Sequence, residues 1–188
     1  AGAVTVCIVC CEKKTYKKLK LNNNLPISGK DSKKLKPIER EKYAVFLKSL
    51  HKNNHIGISY VVVHVSNKII DKSGISFAIK KAISKGIEKL KIIPETCEFL
   101  LDGSLKAPKE FKKQKTIIKG DEKEKIIAWA SILAKVSRDS LMVKLSKKYP
   151  KYGFELHKGY GTKVHFEAIK KHGLSPIHRV SFCKICLS

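Results

Sequence analysis

The chain has 188 residues, 43% of them hydrophobic, enough for one compact α/β domain and short for two. Lys and Arg number 40 against 16 Asp and Glu, a formal net charge of +24 that attracts polyanions, although a basic and merely soluble surface has the same composition. No run approaches the roughly 18 apolar residues of a membrane span, and the apolar start, Ala1 to Cys11, has no basic region before it and does not resemble a signal peptide.

Val4 to Cys11 (VTVCIVCC) is apolar on both faces, as in a central strand. The chain opens in mid-strand without an initiator Met, so a preceding segment is expected to be missing. Glu12-Lys13-Lys14 is expected to be a polar turn, with Tyr16 to Leu21 returning as a second strand. Pro37 suits the first turn of a helix running to about Leu50, with Ile38, Tyr43, Phe46, Leu47 and Leu50 as its apolar face. Ile56 to Val65 is again a strand, and Ile75 to Leu90 has helical spacing through Ile79, Ala82, Ile83 and Ile87. Beyond Pro94, Glu98 to Leu101 forms a short strand ending at Asp102-Gly103, and Thr116 to Ile118 another ending at Lys119-Gly120-Asp121. A helix should follow to about Asp139 and a second helical stretch to Tyr149. Gly153, Gly159 and Gly161 punctuate a loop, and Thr162 starts a last helix stopped by Gly173. The alternation implies a single α/β layered domain over residues 1–188, helical from about 140 to 188.

Cys7/Cys10 and Cys183/Cys186 both have C-x-x-C spacing. On a strand, positions three apart point to opposite faces, so the first pair cannot share a metal. The second has no further well-spaced pair nearby. Reduced thiols of a cytoplasmic protein are the expectation.

Asp102 and Asp121 each follow a short apolar strand, where functional groups of open α/β sheets collect. If the strands are neighbours, the carboxylates converge and suit Mg²⁺ or Mn²⁺, and two such ions roughly 3.5–4 Å apart promote phosphodiester hydrolysis. The alternative is structural. Asp121-Glu122-Lys123-Glu124 has the spacing of a capping box, and Asp102 favours a turn at Gly103. Asp139, beside Arg138, reads as a local ion pair or cap. The small residues between Ile126 and Lys135 allow close packing on a sheet. In Tyr152 to Thr162 (YGFELHKGYGT), Lys158 supplies charge, Gly159 lets backbone approach a phosphate, and Tyr160 suits stacking on a nucleotide; an ordinary glycine-rich loop with a half-buried tyrosine reads the same way.

Over nearly its whole length the chain resembles the ribonuclease HII family. The resemblance is carried by Asp31 to Leu35 (DSKKL), Leu101-Asp102-Gly103, Ile117 to Asp121 (IIKGD), Ala130 to Asp139 (ASILAKVSRD), Tyr152 to Thr162, and Ser175 to Arg179 (SPIHR). It implies a ribonuclease H-like fold, with a mixed central β-sheet flanked by helices and a helical C-terminal extension. It also implies a monomeric endonuclease acting on RNA–DNA hybrids and cutting on the 5′ side of ribonucleotides in duplex DNA, with two Mg²⁺ or Mn²⁺ ions. Asp102 and Asp121 would be two of the four metal-binding carboxylates. Tyr160 would pack on the sugar at the RNA-to-DNA junction, Ser32 and Lys33 would lie near the substrate backbone, and Lys158 and Gly159 would belong to the substrate-binding loop. The family's first strand opens with Asp-Glu-x-Gly-x-Gly, followed by small residues like Ala1-Gly2-Ala3-Val4, and this motif is not among the 188 residues. Val180 stands where a second Arg is common after Arg179, and Trp129 where a small residue is usual. Without the missing carboxylates the 188 residues are expected to be inactive. Two other readings are a non-catalytic hybrid-binding module and a basic RNA-associated protein whose carboxylates are only caps.

Overall fold

The computed structural model describes residues 1–21, 35–52 and 57–183. Strand β1 (Val4–Cys11) pairs antiparallel with β2 (Ile58–Val65), from Val4 opposite Val65 to Cys11 opposite Ile58. Strand β3 (Phe99–Asp102) pairs parallel with β4 (Gln114–Ile117), Asp102 lying opposite Ile117. Among the described residues the expected mixed sheet is therefore two two-stranded ladders. Thr5 to Cys11 of β1 and all of β3 line one cavity of about 1380 Å³ between the ladders.

The alternation of β1 sets the layers. Cys7, Val9 and Cys11 pack with Ala44 and Leu47 of α2 (Pro37–Lys52) and with Ala128 and Ile132 of α5 (Lys125–Lys148). On the opposite face, Val4, Val6 and Ile8 meet Ile70, Ala82, Ile83 and Ile87 of α3 (Asn67–Leu90). With both faces covered, every position of the strand has reason to be apolar. Cys7 and Cys10 thus point to opposite faces, as the spacing requires.

Several elements differ from expectation. Tyr16 to Leu21 is not a strand but part of helix α1 (Lys13–Leu21). The alternation of Leu19 and Leu21 is misleading: Tyr16 and Leu19, one helical turn apart, pack into the core, while Leu21 is exposed. Helix α2 buries Ala44, Leu47 and Leu50 but leaves Ile38 exposed. Helix α3 begins at Asn67, and non-helical backbone at Gly74 (φ 82°, ψ 162°) divides it, so the predicted start at Ile75 marks its second part. After β4 comes one short turn, α4 (Gly120–Lys123), then extended backbone at Glu124, and α5 runs unbroken where two stretches were expected. Helix α6 (Phe154–His157) lies within the glycine-punctuated loop. Helix α7 (Lys163–His172) follows, its Thr162 Oγ1 accepting from His165 N–H at 3.3 Å and Gly173 closing it.

Candidate active site

Because β3 and β4 run parallel, their C-terminal ends lie side by side, and the chain leaves each at a functional candidate. Lys119 adopts left-handed backbone (φ 54°) and turns Gly120 back toward β3. Gly120 N–H then donates to Asp102 Oδ1 at 2.7 Å, which brings Asp102 against the residue before Asp121. The packing is close: a Cβ on Gly120 would lie 2.7 Å from Ile127 Cδ1 and 3.3 Å from Asp102 Oδ1, so the Ile127 side chain would have to shift. Asp121 follows in the first turn of α4 and is 6% exposed.

The capping box does not form. The cap residue of α4 is Lys119, with no side-chain cap, and Asp121 sits inside the helix. Glu124, the other member of the box, instead accepts from Tyr16 Oη at 2.9 Å and pairs with Lys20 Nζ at 3.5 Å, tying α1 to the start of α5. The turn at Gly103 forms (φ 61°), but through backbone, Leu105 N–H donating to Asp102 O at 3.2 Å. The Asp102 carboxylate is left to brace the β4–α4 junction.

Asp102 also lines the cavity between the ladders, together with Ala130, Ser131 and Ala134 of α5. Its small residues let α5 lie close beneath β1. Carboxylate oxygens suit a hard divalent cation. Among the described residues, however, no group of three or more His, Cys, Asp or Glu side chains could hold an ion, so Asp102 and Asp121 belong to no such group.

The basic loop gathers a different set of residues. The Tyr160 ring, half exposed, lies 4.6 Å from Lys135 Nζ and 4.7 Å from Arg138 Cζ, an arrangement that attracts both cations to its face. Lys135 Nζ also donates to Tyr160 Oη at 3.2 Å and pairs with Asp139 Oδ1 at 3.1 Å, the local ion pair expected of Asp139. Lys158 (φ 51°) and Gly159 (φ 75°) form the left-handed corner before Tyr160, and Lys158 Nζ donates to Glu155 O. Gly159 packs closely: a Cβ there would lie 2.9 Å from Met142 Cε and 3.2 Å from Ala1 O. Arg179 donates to Gly2 O (2.8 Å) and Ala3 O (3.0 Å), bracing the approach to β1. Val180 uses only its backbone, its N–H donating to Asp71 Oδ2 at 3.0 Å. Trp129 fills the core between α1 and α5, edge-on to Tyr16. Ser32 and Lys33 lie outside the described residues.

Sequence reasoning missed a buried histidine cluster behind Tyr160. His165 and His178 approach through their Nε2 atoms at 3.0 Å, and His157 stacks on His165 with ring centroids 4.4 Å apart. His165 Nδ1 lies 2.8 Å from Tyr160 O, and Ser175 N–H donates to His178 Nδ1 at 2.8 Å. Burial pushes both His165 and His178 down to about 4. The available signal was distributional: four of the seven histidines lie beyond Gly153.

No helix among the described residues is long and apolar enough to cross a membrane. Residues 1–185 match the family model described as Ribonuclease HII. A ribonuclease HII of Caldicellulosiruptor bescii is 48% identical over 159 residues, 85% of this chain and 73% of that protein. One from Acetivibrio thermocellus is 46% identical over 154 residues, 82% of this chain but only 57% of the relative. The crystal structure of ribonuclease H2 from Pyrococcus horikoshii superposes with a TM-score of 0.63 at 26% identity, covering 96% of this chain and 88% of that one.

Proposed function

The chain belongs to the ribonuclease HII family, and from that membership we propose that it is an endonuclease of RNA–DNA hybrids that also incises 5′ of ribonucleotides embedded in duplex DNA. The family is divalent-metal dependent. In this reading Asp102 and Asp121 are ligands of a hard cation, Mg²⁺ or Mn²⁺, with a second ion in the complete site. The observation that carries the reading is the 2.7 Å bond from Gly120 N–H to Asp102 Oδ1, which places Asp102 against the residue before Asp121 in a chain of charge +24. Tyr160 packs on the sugar at the junction, with Lys158 and Gly159 shaping the loop beneath it. Ser32 and Lys33 are assigned to the substrate backbone on sequence alone.

The cavity between β1 and β3 supports the same reading. Each of these strands has one ladder partner among the described residues. A further strand, roughly 4.8 Å from each neighbour and rising about 3.3 Å per residue, suits a gap of this kind. A strand bearing Asp-Glu-x-Gly-x-Gly there would add the carboxylates that the described residues lack. The experiment compares the 188-residue chain with one preceded by such a strand, on a hybrid duplex with Mn²⁺. Cleavage is expected only from the extended chain, because two aspartates supply too few ligands to fix two ions. Robust cleavage by the unextended chain would place the active site elsewhere. An extended chain that binds the hybrid without cutting it would favour a non-catalytic binding module.

A further inference from the structure

His165 and His178 are buried, aromatic-walled and joined into one chain of hydrogen bonds. The donors along it fix where each proton sits. Ser175 N–H can only donate, and it points at His178 Nδ1 from 2.8 Å, with Ser175 Oγ at 2.7 Å as a second partner. Nδ1 is therefore an acceptor, and the ring proton of neutral His178 is on Nε2. That N–H faces His165 Nε2 at 3.0 Å, which must then accept. The remaining proton of His165 is on Nδ1, where it donates to Tyr160 O at 2.8 Å. With both rings neutral, this assignment satisfies these bonds and leaves only the longer 3.3 Å contact between His178 Nδ1 and Ser175 O without a proton.

The carbonyl at the end of this chain belongs to the residue whose ring faces Lys135 and Arg138. Tyr160 O also accepts from Thr162 N–H, and Tyr160 N–H donates to His157 O, both at 2.9 Å. The left-handed corner at Lys158 and Gly159 precedes Tyr160, and Gly161 follows it, so neighbouring backbone offers little intrinsic rigidity. The rings of Phe154 and Tyr152 wall the pair, and the stacked His157 closes the remaining side.

We propose that His165 is a positioning residue for the Tyr160 sugar contact, held in its required tautomer by His178 and Ser175. The proposal rests on the assignment of Tyr160 to the substrate sugar made above. In this arrangement the Ser175 to His178 turn determines where Tyr160 stands, although it touches no substrate. The relay is a specificity device. It leaves the phosphate contacts of a basic surface untouched and acts only on the group that distinguishes a ribonucleotide from its neighbours.

The test uses the 188-residue chain with ¹⁵N-labelled histidine, its ring nitrogens observed by long-range ¹H–¹⁵N correlation near neutral pH. His165 is expected as the Nδ1–H tautomer and His178 as Nε2–H. The opposite tautomer in either ring overturns the relay. Two substitutions then separate positioning from packing. In His165→Asn the amide sits where Nδ1 was and keeps a donor for Tyr160 O, whereas His165→Gln places its amide near Nε2 and loses that donor. Each variant is measured for binding to a duplex with one ribonucleotide and to the all-DNA duplex of the same sequence, alongside the ¹³C shifts of the Tyr160 ring. His165→Gln is expected to lower the preference for the ribonucleotide about fivefold, the worth of one lost hydrogen bond, with all-DNA affinity unchanged. His165→Asn should retain the preference and the parent ring shifts. Equal behaviour of the two variants would make His165 a core-filling residue and overturn the proposal. A parent chain that does not distinguish the duplexes would instead fault the Tyr160 assignment, while the tautomers and ring shifts would still decide the relay.

Discussion

Replacing Asp102 by Asn or by Ala separates its two roles, because the carboxylate both braces a turn and is proposed to bind a cation. The brace is the 2.7 Å bond from Gly120 N–H, short and charge-assisted. Hydrogen bonds to charged groups are worth about 1.5–3 kcal/mol and neutral ones about 1, so Asp102→Asn, which keeps an oxygen at the same place, should cost about 1 kcal/mol. Asp102→Ala leaves the buried Gly120 N–H without this acceptor and should cost about 2–3 kcal/mol. For a domain of this size each kcal/mol lowers Tm by about 2–4 °C. Thermal unfolding followed by circular dichroism in EDTA reads these shifts. Repeating the melts in Mn²⁺ reads ligation. An ion added at about ten times its Kd stabilises the parent by about 1.4 kcal/mol, a gain the Asn variant should lack although its fold is intact. If the Asn variant gained as much from Mn²⁺ as the parent, Asp102 would not be a ligand. If Asn proved as destabilising as Ala, the oxygen acceptor would not be what braces the turn.

Gly120→Ala should destabilise by about 1 kcal/mol or more through overpacking against Ile127, measured by urea unfolding; a neutral substitution would mean that the Ile127 side chain gives way. In an extended, active chain, Tyr160→Ala should lower cleavage at a lone ribonucleotide about tenfold, since aromatic stacking on a nucleotide is worth about 1–3 kcal/mol, while total duplex affinity changes less. Parent-like cleavage would leave Tyr160 a packing residue. His165 and His178 have folded pKa values near 4 against about 6.5 unfolded, through burial above all and, less, the nearby His157. The unfolded state then binds more protons in that window, so their contribution is intact above about pH 6.5 and is lost as pH falls toward about 4. Unfolding midpoints that did not fall between about pH 7.5 and about pH 4.5 would refute the neutral pair.

Much of the layer order was legible because β1 and the second part of α3 announce themselves by periodicity: two covered faces make a continuous apolar run, and one covered face makes a stripe. The α1 segment failed for lack of signal. In nine residues dominated by lysine, Tyr16 and Leu19 fix the helix, yet Leu21 completes a false alternation. Nor could periodicity show that α4 stops at Lys123. That break follows from the left-handed Lys119 and the extended Glu124, whose carboxylate is drawn toward Tyr16 on a helix distant in sequence.

The two halves of the site differ for a related reason. Asp102 and Asp121 stood out because each follows the end of a short run closing in apolar residues, and parallel pairing of β3 with β4 sets the ends of those runs side by side. Tyr160 stood out by its glycines. The histidines behind it offered no such local pattern, because His165 lies within α7 and His178 within the turn after it, and neither spacing implies the other. What joins them is a Tyr152–Phe154 wall and one Nε2–Nε2 contact, both products of tertiary packing. The apolar surroundings that hide such a pair from sequence inspection also keep both rings neutral, and neutrality is what lets one ring accept while the other donates. Carboxylates at strand ends can be picked out from their neighbours in the chain; the tautomers of a buried histidine pair need the fold to define which nitrogen faces which.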